Sequence, residues 1–184
     1  MVKLRDMVYD DIRDYVRWFT KDITWMKTDA PWEKNEYNEQ EELKSWTEYY
    51  QYVKSLQPND MRYKFEIECD GKHVGWVSSY TDLDYLENKE QILAIGIDIP
   101  EVSMQNKGVG TKALELFIDY LKDQGHQVLY LQTWGGNDRM LKVASKLGFE
   151  VFYVLPKHRM VEGKLYDAIT LILNINDKKR ILNE

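Results

Sequence analysis

The run SMQNKGVGTKALELFIDYL, Ser103 to Leu121, sets two glycines, Gly108 and Gly110, at the mouth of an otherwise good helix. Glycine in a helix interior costs roughly 1 kcal/mol relative to alanine, so a pair of them there needs a reason. The preceding AIGIDI reads as a strand. The following segment carries Gly110, Ala113, Leu114, Phe117, Ile118 and Leu121 on one side before Gly125 ends it. Strand, short loop, glycine pair and helix is the arrangement that turns a helix N-terminus into an anion site. Free amide N–H groups converge there, the helix dipole adds partial positive charge, and missing β-carbons let an oxygen approach. Gln105, Asn106, Lys107, Gly108, Val109, Gly110 and Thr111 are therefore candidates for holding a phosphate.

Two other phosphate motifs compete. A P-loop needs Lys-Ser/Thr directly after its second glycine, and here Gly110 is followed by Thr111-Lys112. A dinucleotide fingerprint needs a third glycine where Ala113 stands. Alanine is tolerated at that position, so this rival is weakened and stays open.

Along the rest of the chain, hydrophobic period and turn chemistry predict a succession of elements. Ile12, Tyr15, Val16 and Phe19 form one buried face of a helix that begins at Asp10 or Asp11 and ends near Thr20. KDITWMKTDAPWEKNEY has no clean period and reads as an aromatic loop. Glu36 to Leu56 reads as a helix with Leu43, Trp46, Tyr50 and Val53 on one stripe, stopped by Pro58. From Arg62 the period becomes two, with Tyr63, Phe65, Ile67 and Cys69 opposite Lys64, Glu66 and Glu68. Asp70-Gly71 turns this strand into a hairpin with His73 to Tyr80. A polar loop over Thr81 to Glu90 precedes a third strand, Gln91 to Ile99. Val128 to Thr133 is apolar enough for a strand covered on both faces, and Asp138 to Lys146 reads as a helix with Met140, Val143, Ala144 and Leu147 inward. Phe149 to Leu155 and Tyr166 to Leu173 close the chain as strands, with Glu162-Gly163 as a hairpin turn between them. The predicted order is βααβββαβαββ, a mixed α/β fold in one domain over residues 1–184. With 43% hydrophobic residues, 184 residues suffice for one sizeable core, and no linker or repeat offers a second domain a place to start.

At this stage QNKGVG, residues 105–110, matches a named pattern: it resembles the Gln/Arg-x-x-Gly-x-Gly/Ala signature of the GNAT superfamily of N-acetyltransferases. AIGIDI before it, TWGGNDRMLKVASKLGF after it and HRMVEGKLYDAITLIL near the end are similar to the branch holding the ribosomal-protein and aminoglycoside 6′-N-acetyltransferases. The likeness runs in element order from Lys3 to Asn174 and is specific in motif from Ile92 to Leu173. It implies a mixed, mostly antiparallel sheet of six to seven strands flanked by four helices. Residues 1–60 would lie on the substrate side and residues 92–173 would form the acetyl-CoA-binding core. It also implies acetyl-CoA as cosubstrate, its pyrophosphate on the glycine turn and its pantetheine arm along the strand LAIGIDIP, which would splay from its parallel neighbour.

In that strand Ile95, Ile97 and Ile99 share one face, and Ala94, Gly96 and Asp98 share the other. The second face is small and carries one carboxylate, so a ligand chain can lie against the strand and bond its backbone. Ile97 and Ile99 join the cofactor-binding candidates, as do Asn137, which is also a plausible helix cap, and Arg139. An aspartate in a matching GID context is a candidate base in the aminoglycoside branch, which implies that role for Asp98. The chemistry would be attack of a neutral amine on the thioester, with a carboxylate taking the proton and a backbone N–H of the splayed strand meeting the oxyanion. The chain departs from the wider family in carrying Ala144 where many members have a tyrosine. Tyr130, Tyr153 and Tyr166 are alternatives among which the sequence does not choose.

For the acceptor, Trp25, Trp32 and Asp29 in the aromatic loop offer a wall for a cationic amine, whether of a small molecule or of a protein. Their structural alternative is a set of aromatic anchors beside a solvated acidic face. With 25 basic and 31 acidic residues, net −6, and Lys178-Lys179-Arg180 as the one basic block, a nucleic-acid partner is not favoured. His73, His126 and His158 lack ligand spacing, so no metal is expected; lone Cys69 reads as a buried filler. With no long apolar run and a charged start, the reading is a cytoplasmic protein without a membrane partner, for which a homodimer is possible. A non-catalytic acyl-CoA-binding module and an unrelated nucleotide-binding α/β enzyme are the competing functions.

Overall fold

Seven strands form one open sheet in the order β1-β2-β3-β4-β5-β7-β6 in the computed structural model, which describes residues 1–33, 36–83 and 92–175. The Lys178-Lys179-Arg180 block, Gln91 and most of the predicted 81–90 loop lie outside the described residues. The elements are β1 (Val2–Arg5), α1 (Asp11–Thr20), α2 (Met26–Asp29), α3 (Glu39–Ser55), β2 (Lys64–Cys69), β3 (Lys72–Tyr80), β4 (Ala94–Asp98), α4 (Val109–Asp123), β5 (Val128–Trp134), α5 (Asp138–Lys146), β6 (Glu150–Val161) and β7 (Lys164–Asn174). Short 3-10 turns occupy Ile23–Trp25 and Val102–Met104. Every strand pair is antiparallel except β4 with β5. The expected mixed, mostly antiparallel sheet is therefore present, with five α-helices against the expected four. The extra helix is α2, a single turn inside the segment expected to be an aromatic loop; its periodicity is too short to register in a sequence.

The sheet has an apolar face and a polar one. On the first, α4 and α5 pack Ala113, Leu114, Phe117, Ile118, Leu121 and Ala144 against Ile67, Val77, Ile95, Leu129, Leu131 and Leu171, all buried. Cys69, 7% exposed, belongs to this layer, as expected of a buried filler. On the second, α1 and α3 bring Tyr15, Trp18 and Val53 over Trp76. Asn38 caps α3 by accepting from the N–H groups of Gln40 and Glu41 at 2.9 and 3.3 Å, so the helix begins three residues later than predicted. Leu43, expected inward, is 50% exposed, because the inward stripe of α3 runs through Trp46, Tyr49, Tyr50 and Val53.

The side of β2 that carries Lys64 and Glu66 is covered, not open to solvent. Glu66 is 1% exposed, accepting from the Tyr15 hydroxyl at 2.6 Å and facing His73 Nε2 at 2.9 Å. His73, its side chain 4% exposed, also meets Asp11 and Asp14, both at 3.3 Å through Nδ1. Asp11 in turn holds the Arg5 guanidinium in a two-pronged pair at 2.6 and 2.8 Å. Burial alone would lower the His73 pKa, but hydrogen bonds to Asp14 and Glu66 and the charges of Glu66 and Asp11 outweigh it and raise it to about 9. The folded state thus holds a proton that the unfolded chain releases near its ordinary value of 6.5. The stabilisation, on the order of 3 kcal/mol, is fully present below that ordinary value and is lost as pH rises through the raised one. His73→Gln is therefore expected to melt below wild type at pH 6 and to converge toward it by pH 9 to 10. Melting curves recorded by circular dichroism across that range check this, and parallel curves for the two proteins would dissociate His73 from the pH response.

Candidate active site

Parallel pairing of β4 with β5 is confined to one register position, Ala94 beside Tyr130, helped by the Tyr130 N–H donating to the Leu93 carbonyl at 2.9 Å. Beyond it the strands splay, while β4 keeps its antiparallel ladder with β3 through Asp98. The edge of β4 that would face β5 is thereby opened from Gly96 onward. Two cavities lie at the opening and share Asp29, Ile97, Asp98, Asn137 and Met140.

The larger, about 360 Å³, runs from the splayed strand over the start of α4 and along α5. Gly108 takes the left-handed conformation, φ 78°, at the N-cap of α4, and Lys112 N–H donates to its carbonyl at 3.0 Å. A β-carbon there would meet no atom within 4 Å, so the turn leaves open space above the first helical amides. A β-carbon on Gly110 would stand 3.3 Å from Ile99 Cδ1 and 3.6 Å from Ile97 Cδ1. This wall needs glycine for close approach. Gln105, Asn106, Gly108, Gly110, Thr111, Ile97, Ile99, Asn137 and Arg139 all line this cleft. Lys107 is exposed and does not line it, and Val109 turns its side chain into the core at 5% exposure, which leaves only its backbone N–H for a ligand. Ile97 and Ile99 were assigned to the buried face of the strand, and they do share the face of buried Ile95. They remain partly exposed because α4 stops at Val109, short of covering them.

Reasoning from the sequence marks Lys107 and Arg139, sets Lys142 aside as an ordinary exposed lysine and misses Lys146. Lys142 and Lys146 both line the cleft with Arg139 and Val143, and their spacing of three and four along α5 is the signal that puts them on one face. Lys112, by contrast, pairs with Glu115 at 3.1 Å outside the cleft. The result is a strip of three cations opposite the helix N-terminus, suited to a polyanionic ligand. Gln105 ties the walls together, donating through Nε2 to the Ile99 carbonyl at 2.8 Å and accepting from Arg139.

The smaller cavity, about 240 Å³, is lined by polar groups of Asp29, Ser78, Tyr80, Asp98, Gln132, Thr133, Asn137 and Arg159, with Trp32 beside them. Asn137 is the cap of α5, accepting from Met140 N–H at 3.1 Å, and also a latch: its Nδ2 donates to the Thr28 carbonyl at 3.0 Å, joined by Trp134 Nε1 at 3.2 Å. That pair pins α2 across the site and delivers the next residue, Asp29, to both cavities. Burial pushes the Asp98 carboxyl well above the ordinary carboxylate range, Asp29 adds to the rise, and Lys64 opposes it. Surrounding protein also crowds the Asp29 carboxyl and, with Glu33, pushes it up to about 6. Lys64 sits in a cage of rings, its Nζ 4.3, 4.2, 5.1 and 4.8 Å from the centroids of Tyr15, Trp46, Tyr49 and Trp76. Burial lowers its pKa to about 8 against the pull of Glu66 and Asp98.

The expected substrate-side residues divide. Trp32 and Asp29 line the smaller cavity. Trp25 is an anchor, 6% exposed, with its indole N–H on the Trp18 carbonyl at 3.0 Å, although one side of it still touches the larger cleft. Ala144 is fully buried, and none of Tyr130, Tyr153 and Tyr166 lines either cavity: Tyr130 packs on Phe152 and Tyr166 on Trp134. The tyrosine that does line the smaller cavity is Tyr80. Among the described residues no helix is long and apolar enough to cross a membrane.

Comparison with known proteins identifies the family and the fold. The sequence model of a family described as acetyltransferase (GNAT) domain matches residues 2–150. An uncharacterised N-acetyltransferase of Methanocaldococcus jannaschii is 25% identical over 149 residues, 80% of this chain; the chain spans 60% of that curated relative's length. Mycobacterium smegmatis RimJ, in complex with CoA-disulfide, superposes with a TM-score of 0.73 at 18% identity, covering 97% of this chain and 84% of that one. A ribosomal-protein-S5-alanine acetyltransferase from Vibrio fischeri gives 0.72 at 19%, covering 96% and 94%. Salmonella typhimurium yncA, solved with its cofactor acetyl-CoA, gives 0.71 at 18%, covering 96% and 95%. At these identities the structural likeness is one of fold.

Proposed function

Because this chain belongs to the GNAT acetyltransferase family, we propose that it is an N-acetyltransferase that moves an acetyl group from acetyl-CoA to the primary amine of a small molecule or a protein, directly, in a ternary complex. The observation that carries this reading is the meeting of the two cavities at Asp98, one with an anion cradle and a cationic wall, the other polar and acidic.

The residues present fit acetyl-CoA. Amides at Gly108, Val109, Gly110 and Thr111 suit its pyrophosphate. Arg139, Lys142 and Lys146 suit its further phosphate, and the open edge of β4 suits its amide-bearing arm. Acetyl-CoA would supply an activated acyl carbon whose C–S bond breaks to a thiolate. Of the two protons the ammonium loses, one passes to Asp98 and on to solvent, and the other ends on the departing sulfur, giving free CoA thiol. The protein supplies position and proton handling. An amine entering the smaller cavity as an ammonium is stabilised by Asp29 and Asp98, and it must lose a proton before it can attack. Asp98, desolvated and therefore more basic than an ordinary carboxylate, takes that proton directly or through water. A backbone N–H on the opened edge of β4 would be available to meet the carbonyl oxygen as it gains charge. Lys64, held by its aromatic cage, keeps a positive charge near the carboxyl pair so that Asp98 can release its own proton between turnovers.

Calorimetric titration with acetyl-CoA, using ATP and NAD as controls, followed by thiol release in the presence of amines, tests the assignment. Selective saturable binding of acetyl-CoA and amine-dependent release of CoA are expected. Binding without release would leave a non-catalytic acyl-CoA-binding module, and binding of ATP or NAD instead would remove the family chemistry altogether.

A further inference from the structure

Of the five described residues that line both cavities, Asp29 and Asp98 alone can give or take a proton; Ile97, Asn137 and Met140 cannot. The two carboxyls also stand apart from the other acids near them. Asp11, Asp14, Glu66 and Glu101 each hold a cation or a hydroxyl. Neither Asp29 nor Asp98 makes a side-chain hydrogen bond or ion pair with any described residue. Asp98 is fixed by the sheet, since the ladder of β4 with β3 runs through it. Asp29 comes from the opposite wall, at the end of α2. That turn is tied down around the preceding residue: the Thr28 carbonyl accepts from Asn137 Nδ2 at 3.0 Å and from Trp134 Nε1 at 3.2 Å, and Thr28 Oγ1 donates to the Trp25 carbonyl at 2.8 Å. The backbone beside Asp29 is held while its carboxyl is left to the gap.

Acyl transfer to an ammonium needs a group for each of two protons. The first leaves before the nitrogen can attack, and Asp98 takes it. The second leaves the nitrogen once that atom has bonded to the acyl carbon, and a proton must reach the sulfur as the C–S bond breaks. While Asp98 holds the first proton it cannot take the second. Asp29 is exposed, and the surface it shows borders the two cavities. An acyl donor in one and an acceptor in the other would take that surface out of water, which strengthens a carboxyl's hold on a proton. Crowding on its other sides and the charge of Glu33 already raise it to about 6. Such a group is ionised at neutral pH and can accept a proton, yet it surrenders one to a thiolate, whose thiol ordinarily titrates at about 8.5. The remaining charged or titratable groups on these walls are Tyr80 of β3, Arg159 of β6 and the three cations of α5, with Lys64 acting on Asp98 through its charge. None of them lines both cavities.

Resting on the acetyl-transfer reading, we propose that Asp29 is a second catalytic residue, a proton shuttle from the acceptor nitrogen to the departing sulfur. Its carboxylate takes the second proton from the nitrogen after the N–C bond has formed and delivers it to the sulfur as the C–S bond breaks. Asp29 therefore begins and ends each turnover ionised. One proton has moved from nitrogen to sulfur, and the other has left through Asp98 to solvent. The two carboxyls divide the work by position: Asp98 on the sheet serves the entering amine, and Asp29 on the tied turn of α2 serves both partners. Each also alters the other, since a proton on one removes the like charge that hinders ionisation of its neighbour.

Asp29→Asn tests this, with circular dichroism as the folding check and Asp29→Ser as a second variant without a titratable group should the first fail to fold. Single-turnover CoA release is followed from bound acetyl-CoA with putrescine, tyramine and an alanine-terminated peptide as acceptors. Asp29→Asn is expected to lower the rate at saturating acceptor by about 10²-fold or more, with acetyl-CoA affinity by calorimetry unchanged. Asp29→Glu, which keeps a carboxyl, is expected to restore part of the rate. Across pH, the rising limb that belongs to Asp98 should move to lower pH in Asp29→Asn, because a charge that raised it is gone, while the plateau above that limb stays low. The protein alone gives a further readout: the carboxyl carbon resonance of Asp98 should titrate at lower pH in Asp29→Asn. A plateau that recovers to wild type would make Asp29 a modulator of Asp98, and a weaker acceptor affinity at unchanged rate would make it a binding group. An unmoved Asp98 titration would separate the two carboxyls. Each of these results overturns the proposal while leaving acetyl transfer standing. Acetyl-CoA binding with no CoA release from any acceptor would overturn both.

Discussion

Gly110→Asp is expected to weaken acetyl-CoA binding by at least about a hundredfold while the protein stays folded. Each tenfold loss in affinity corresponds to about 1.4 kcal/mol, and one charge-assisted hydrogen bond contributes about 1.5–3 kcal/mol. The substitution both blocks such contacts and sets a carboxylate against a pyrophosphate. The fold should tolerate it for two reasons. The new β-carbon meets only the tips of Ile99 and Ile97, at 3.3 and 3.6 Å, and those tips can shift by a few tenths of an ångström. An aspartate in the first turn of a helix is also favourable to the dipole. Gly110→Ala separates shape from charge, since it adds the same β-carbon and no anion, and its loss should be much smaller. Calorimetric titration of the three proteins, with far-ultraviolet circular dichroism as the folding check, gives the answer. Undiminished affinity in Gly110→Asp would mean that the cradle at the start of α4 is not where the phosphates bind.

The second large effect is expected on rate. Asp98→Asn should lower kcat by about 10²- to 10⁴-fold, the usual contribution of a positioned general base. Acetyl-CoA affinity should remain near wild type, because the phosphate cradle lies at the far end of the cleft. The pH dependence distinguishes proton transfer from mere positioning. Burial first, and then the charge of Asp29, raise the Asp98 carboxyl well above the usual carboxylate range. The wild-type rate should therefore climb with pH along a limb displaced upward from ordinary carboxylates, and that limb should vanish in Asp98→Asn. Stability carries the same sign. A carboxyl raised in the folded state binds its proton more tightly there than in the unfolded chain, so its contribution is most favourable at low pH and declines as pH rises. Asparagine does not titrate, so the melting temperature of Asp98→Asn should rise relative to wild type as pH increases. A rate unaffected by the substitution would remove Asp98 from the mechanism.

Much of the fold is legible in the sequence because its signals are local. The change of period from 3.6 to two at Arg62, the Asp70-Gly71 and Glu162-Gly163 turns and the terminator Gly125 each act through neighbouring residues. The turns and the terminator stand where they were expected, and the strand expected from Arg62 begins at Lys64. The misreadings have equally local causes. The α2 helix is one turn long, and β6 and β7 run past their predicted ends because Pro156 sits in a bulge that lets an edge strand resume. Alternation set Lys64, Glu66 and Glu68 on one face of β2, but it reports which residues share a face and says nothing of what covers it. Here α1 and α3 cover the polar face with rings and carboxylates.

The candidate site divides in the same way. The anion cradle is written in contiguous residues, since a left-handed Gly108, a bare Gly110 and the first amides of α4 are all set by one stretch of chain. Asp98 was visible as the one carboxylate on a small strand face. Its neighbours were not. Asp29 reaches it because Asn137 and Trp134, more than 100 residues later, hold the Thr28 carbonyl. Lys64 comes near it across the sheet, and a bulge in β6 accompanies the entry of Arg159 into the lining of the same cavity. By itself the sequence determined the order of elements and the phosphate-binding turn, because backbone conformation and hydrophobic period depend on adjacent residues. Only the tertiary structure decided which charges confront one another, because strand order and the single-residue pairing of β4 with β5 place side chains from six separate segments around one gap, and electrostatics acts through space.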